Sequence, residues 1–227
     1  MRRADRRRDQ HRVRRPRLPL ADRHLGAVRP LEYATIDAFL RDPAKVWDFY
    51  ARRLEVFGAA EPNAGHRALA ALEERGWVQA VITQNIDRLH ERAGSRALVE
   101  VHGSVRTSSC LDCGTVVPRD EVVALLPVPH CPSCGRVLKP DVVMFGELLP
   151  EGAMAEATGL AARAGVLLVV GSSLEVYPVA ALPLETLAHG GALAIVNRGS
   201  TPRDGRASVV FDGGAGETLR ALAGRLQ

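Results

Sequence analysis

From residue 31 onward the 227-residue chain predicts a doubly wound parallel α/β sheet, with a small helical insert and a small zinc-binding module set into it. Three observations carry that prediction. Short β-branched or apolar runs alternate with stretches of helical period. The run Val166-Leu-Leu-Val-Val170 is apolar at every position, which suits a strand buried on both faces of a parallel sheet. All four cysteines fall in two Cys-x2-Cys pairs.

In chain order, Asp42-Pro43 is placed to cap a helix carrying Val46, Trp47, Phe49, Tyr50 and Leu54, since proline at the first helical position gives up an N–H that would be unpaired there. The helical insert spans about residues 35–60. Asn63 caps the next helix, with Leu69 and Leu72 inward and Gly76 closing it. Residues 81–83 form a β-branched strand that breaks into the polar cluster Gln84-Asn85-Ile86-Asp87. A short helix follows through Leu89 and Arg92, stopping at Ala93-Gly94-Ser95, and a second strand over 98–101 ends on His102-Gly103. After the cysteine-bearing stretch come a helix over 150–163, the strand 166–170 ending on Gly171-Ser172-Ser173, and a helix over about 178–189. A strand over 192–196 then reaches the tip Asn197-Arg198-Gly199, before a last strand (208–211) and helix (216–226). The α/β domain is thus expected over 31–106 and 141–227, with the zinc module over 107–140.

Composition narrows the class. Hydrophobic residues make up 46% and aromatics 4%, as in a globular protein. No apolar run approaches the roughly 18–20 residues of a membrane span, so no membrane partner is expected. The basic first segment is not followed by an apolar core, and it holds Asp but no Ser, so it resembles neither a signal nor a transit peptide; the expected compartment is the cytoplasm. The net charge of +4 is unevenly spread: residues 1–29 hold 11 Arg against 3 Asp, which leaves the rest of the chain at −4. Nucleic acid is therefore not expected as a partner of the folded part.

The pairs Cys110/Cys113 and Cys131/Cys134 are 17 residues apart. Two cysteines three apart on a tight turn direct both sulfurs to one ion, and two such turns complete a tetrahedron. Gly114 and Gly135 each follow the second cysteine of a pair, as such turns require. Four thiolates leave no open coordination position, so the zinc is expected to be structural. His130 is a ligand by type but superfluous. The other concentration of chemistry is at residues 81–104, where strand ends deliver Gln84, Asn85, Asp87 and His102 to one edge. Open α/β sheets bind ligands at such edges.

Several motifs together name a family. TQNIDRLHERAGS, VHGS, the paired Cys-x2-Cys, KPDVVMFGE, GSSLEVYP and IVNRG stand in the order and spacing of the sirtuins, and the chain resembles these NAD-dependent protein deacylases from about Thr35 to its end. The bacterial type is the nearer likeness; other members often have Gly where this chain has Arg88. The resemblance implies a Rossmann-like fold, NAD and zinc as cofactors, and acetylated-lysine proteins as substrates. It implies His102 as the catalytic base. It further implies that Gln84, Asn85 and Asp87 meet the nicotinamide end of NAD, and Gly171, Ser172, Ser173 and Asn197 the adenosine and phosphate end. Val143, Phe145, Gly146 and Glu147 on one side and Val176 on the other would flank the substrate peptide as an added strand.

In one respect the chain departs from the family. Sirtuins open the sheet with a strand entering GAGxS, the phosphate-binding loop, and residues 1–30 supply neither; the first strand of the sheet is thus expected to be missing. Legal codons for residues 1–19 exist whose reading one base later is CVVLTGAGISTESGVPDF, which contains both strand and loop in order. The first thirty residues are accordingly read as an out-of-frame translation, restored near Leu31. The expected activity is NAD-dependent protein-lysine deacetylation, uncertain for this chain without the loop. An inactive sirtuin-like peptide-binding module and a protein ADP-ribosyltransferase stay open as alternatives.

Overall fold

The computed structural model describes residues 32–226. The expectations about the first thirty residues lie outside them. The described elements run α1 (Ile36–Arg41), α2 (Pro43–Ala59), α3 (Ala64–Glu74), β1 (Val81–Thr83), α4 (Leu89–Arg92), β2 (Leu98–Glu100), β3 (Gly103–Ser109), β4 (Val116–Pro118) and α5 (Arg119–Ala124). They continue with β5 (Lys139–Val142), α6 (Glu151–Arg163), β6 (Val166–Val170), α7 (Leu182–Ala188), β7 (Ala192–Asn197), β8 (Val209–Asp212) and α8 (Ala215–Arg225).

The caps form where the sequence places them. The Asp42 side chain accepts from Lys45 N–H with Pro43 opening α2, and Asn63 accepts from the N–H groups of Gly65 and His66 at the start of α3. Three sheets result. β1 and β2 pair in parallel, β6, β7 and β8 pair in parallel in that order, and β4-β3-β5 form an antiparallel sheet. Helices cover the parallel strands on both faces: α6 packs on β2 and α7, α7 also on β6 and β7, while α3 lies along α8 and α8 touches β7. Among the described residues no helix is long and apolar enough to cross a membrane.

The helical insert and the zinc module share one core. Val46, Trp47, Tyr50 and Leu54 of α2 pack with Val105, Val117, Val122 and Leu138, and the fully buried Trp47 indole N–H donates to the Leu138 carbonyl at 2.7 Å. A second cluster joins Val99 and Val101 to Ala157 and Ala161 of α6 and to Val179 and Leu182.

Two expectations change. The antiparallel sheet of the zinc module begins at Gly103, earlier than residue 107, and carries a helix, α5, that no sequence period announces. The strand 166–170 is not buried on both faces: Val169 alone is buried, and Val166 is 62% exposed. It lines a wide cleft, and among the described residues no strand pairs with its outer edge.

Candidate active site and metal centre

The metal centre follows from two identical turns. Gly114 N–H donates to Cys110 O at 3.0 Å and Gly135 N–H to Cys131 O at 2.9 Å. Both glycines sit at positive φ, 74° and 76°, a conformation that a side chain disfavours. The turns bring Cys110 Sγ within 3.4 Å of Cys134 Sγ and Cys113 Sγ within 3.5 Å of Cys131 Sγ, with all four sulfurs inside 4.8 Å of one another. A tetrahedral Zn–S bond of about 2.3 Å sets sulfur–sulfur edges near 3.8 Å, so the donor set fits zinc in both number and size. His130 is not part of it; its Nδ1 lies 2.8 Å from Gly135 O and its ring is exposed.

The second site is a cleft of about 2600 Å³. Its walls include the loop after β1, the turn before β3, the segment after β5 and the tips of β6 and β7. Gln84, Asn85, Asp87 and His102 line it, as do Gly171, Ser172, Ser173 and Asn197. Val143, Phe145, Gly146, Glu147 and Val176 line it too. Every site residue expected from the sequence, the cysteines apart, thus faces one space.

Local bonds set each side chain. Thr83 Oγ1 accepts from Asn85 N–H at 3.1 Å, and Ile86 O accepts from Val105 N–H at 3.2 Å, which pins the loop at both ends. Asp87 Oδ1 accepts from Leu89 N–H at 2.9 Å, so this carboxylate oxygen holds the start of α4. His102 Nδ1 sits 3.2 Å from Gln84 O. A carbonyl only accepts, so in the neutral ring Nδ1 carries the proton and Nε2 keeps its lone pair. Burial lowers the His102 pKa, partly offset by the bond to Gln84. The ring is therefore mostly neutral near pH 7.

His102 is also tied to the segment across from it. Its carbonyl accepts from Val143 N–H at 2.9 Å, and at Gly103, φ +67°, a Cβ would collide with the Asp141 carbonyl oxygen. At the β6 tip, Gly171 takes φ +61° and Ser172 Oγ accepts from Leu174 N–H at 3.2 Å. Asn197 Nδ2 donates to Gly199 O at 3.0 Å across the β7 tip.

Several residues that matter here carry no sequence signal of their own. Lys139 is 6% exposed, and its ammonium meets Glu147 Oε2 at 2.9 Å, Val142 O at 2.9 Å and Pro140 O at 3.2 Å. Glu147 Oε2 also accepts from Met144 N–H at 2.7 Å, so this carboxylate folds back on the segment it belongs to. His66 and His90 meet edge to face at 4.7 Å beside Asp87. Burial, with His66 beside it, lowers the His90 pKa to about 4. A lysine eight residues from a glutamate, or two histidines on separate helices, have no period by which to be found.

Comparison with known proteins accords with this geometry. The model of the Sir2 family matches residues 26–178. The NAD-dependent protein deacylase 2 of Pyrobaculum aerophilum is 47% identical over 194 residues, 86% of this chain and 78% of the relative. The NAD-dependent protein deacetylase of Thermotoga maritima is 44% identical over 180 residues, 78% and 73% of the two chains. A solved complex of Sir2 with a p53 peptide and NAD+ superposes with a TM-score of 0.81 at 42% identity, covering 84% of this chain and 81% of that one. On the family match over residues 26–178 and the identity to these relatives, the protein belongs to the Sir2 family.

Proposed function

We propose that the protein is an NAD-dependent protein-lysine deacetylase with His102 as its catalytic base. The observation that carries the reading is the ring of His102, anchored through Nδ1 on the Gln84 carbonyl and lining the cleft that Asn85, Asp87 and the Gly171–Ser173 tip also line. NAD held there would supply the ribose, whose hydroxyl ends up carrying the acetyl group as nicotinamide leaves, and with one water consumed the products would be nicotinamide, O-acetyl-ADP-ribose and free lysine. Asn85 and Asp87 orient the nicotinamide end. Gly171, Ser172 and Ser173 meet the adenosine and phosphates with N–H and hydroxyl donors, and Asn197 the adenine ribose. His102 Nε2 takes the proton from a ribose hydroxyl, a step that needs a neutral imidazole.

The substrate peptide lies as a strand between the segment holding Val143, Phe145 and Gly146 and the edge holding Val176, so backbone bonds give affinity and side-chain preference stays loose. Glu147 acts from behind this edge, through Lys139. The four cysteines hold a structural zinc. Free thiols arranged for a metal suit a reducing compartment, which supports the cytoplasm as the protein's location.

The test follows nicotinamide and O-acetyl-ADP-ribose release from an acetyl-lysine peptide. It uses this chain and one whose first thirty residues carry the shifted reading. Equimolar release by the restored chain, lowered about 10²–10⁴-fold by His102→Ala, is the expected result. No NAD- and peptide-dependent release from either chain would refute the reading, and ADP-ribose trapped on protein would replace it with a transferase.

A further inference from the structure

The loop that carries Asn85 and Asp87 runs straight into α4, and packing does little to hold α4 in place. It is a single turn, Leu89–Arg92, with no buried residue. One helical turn is not stable by itself, so polar ties set its position. At its start Asp87 Oδ1 accepts from Leu89 N–H. On the sheet side Glu91 Oε1 meets Arg106 at 2.6 Å, and Arg106 meets Glu100 of β2 at 2.7 Å. On the other side Arg92, the last residue of the turn, reaches across to α2.

The end of α2 needs what Arg92 brings. The last carbonyls of a helix lack N–H partners and carry the negative end of its dipole. α2 holds no basic residue in its last turn, and Pro62 just beyond it has no N–H to give. The Arg92 guanidinium fills this gap: Nη1 donates to Phe57 O and Ala60 O, and Nη2 meets Glu61 Oε1 at 2.8 Å. Three acceptors on one planar fork fix direction as well as distance, which a point charge does not. A second arginine holds the same end of α2 from elsewhere. Arg119, opening α5 of the zinc module, donates from Nη2 to Leu54 O at 3.1 Å, and a Cβ on Gly58 would sit 3.0 Å from that nitrogen. Trp47 anchors α2 as well, in the shared core. α2 is thus the fixed partner and α4 the dependent one. Phe49, Tyr50 and Phe57 of α2 line the same cleft as Asn85, Asp87 and His90.

We propose that Arg92 is a positioning residue for the cofactor loop. By locking α4 to the C-terminal end of α2, it holds Asn85 and Asp87 at a set distance from the α2 wall of the cleft. This role rests on the deacetylase reading, in which the loop meets the nicotinamide end of NAD. A loop free to drift would meet that end in many poses, and a misplacement of about 1 Å can cost about 10²-fold in rate. Arg119 provides the contrast. Its side chain bonds Leu54 O and Asp120 rather than α4, so its loss loosens α2 and leaves the α4 tie in place.

The test follows amide hydrogen exchange at Asn85 and Leu89, whose N–H groups bond Thr83 Oγ1 and Asp87 Oδ1, in the full chain and its variants. Arg92→Ala should speed exchange at both by a factor of at least about 10, with Ile195 of β7 unchanged. Arg92→Lys keeps the charge without the fork and should give a smaller rise; it carries the test should Arg92→Ala not fold. Arg119→Ala should speed exchange in α2 and leave Asn85 and Leu89 within about twofold of the parent. In the chain carrying the shifted reading, Arg92→Ala should raise the KM for NAD about tenfold and the peptide KM less than about twofold. No change at Asn85 and Leu89 in either Arg92 variant, or an equal change with Arg119→Ala, would overturn the proposal. So would an unchanged KM for NAD. Exchange needs neither NAD nor turnover, so an inactive parent would refute the deacetylase reading while exchange still decides whether Arg92 holds the loop.

Discussion

Removing the Glu147 carboxylate should loosen the substrate edge while leaving the zinc module intact. Lys139 is buried between β5 and the segment that follows, its side chain 8% exposed against 24% for Glu147. Breaking a buried pair by deleting one partner costs about 3–5 kcal/mol, because the remaining charge stays desolvated. Here the ammonium keeps two carbonyl acceptors, Val142 O and Pro140 O, so Glu147→Ala should cost less, about 2–3 kcal/mol. Lys139→Met leaves a carboxylate that water can reach and that still accepts from Met144 N–H, so about 1–2 kcal/mol is expected. The double substitution Lys139→Met/Glu147→Ala should recover part of the loss, with a coupling of at least about 1 kcal/mol. Urea denaturation of the four zinc-loaded proteins measures the cycle, and peptide KM in the restored chain reports on the edge. Val143 and Phe145, whose N–H groups bond His102 O and Ala34 O, lie between the paired residues, so Glu147→Ala should raise peptide KM more than it changes the KM for NAD. Additive stability losses, or a change confined to NAD, would refute the view of the pair as a brace for this segment.

Arg88 sits at φ +64°, where a side chain costs about 1–2 kcal/mol, and its ion pair with Glu91 is partly exposed. Arg88→Gly should therefore leave stability within about 1 kcal/mol of the parent and Arg88→Val lower it clearly, as thermal melts will show. Stripping zinc removes about 10–16 kcal/mol of binding from a module that shares its core with α2, so chelation should red-shift Trp47 fluorescence and expose all four thiols to a thiol reagent. His90 titrates near 6.5 unfolded and about 4 folded, so the unfolded chain binds the extra proton between those values. Stability from this source is whole above pH 6.5, falls as pH drops towards 4, and changes no further below; allowing for water at the ring, the loss is about 2 kcal/mol. His90→Leu should flatten that limb in melts run from pH 7 to 4, since His90 Nδ1 has no hydrogen-bond partner to lose.

Local chemistry was legible from residue order alone. Capping by Asp42 and Asn63, the glycines after each cysteine pair, and the polar tips of β1, β6 and β7 depend on neighbours within a few positions, and each formed where the sequence placed it. The shared register of several motifs likewise identified the family, because a site assembled at strand ends needs its residues at fixed intervals. Tertiary structure alone decided the rest. It turned Glu147 back onto Lys139, set His66 against His90, and made one core of the helical insert and the zinc module through Trp47. It also left Val166 of the apolar strand 166–170 exposed, with no strand paired to its outer edge among the described residues. Apolar periodicity states which residues seek cover. Only the packed fold determines what covers them, because that depends on contacts between segments far apart in the chain.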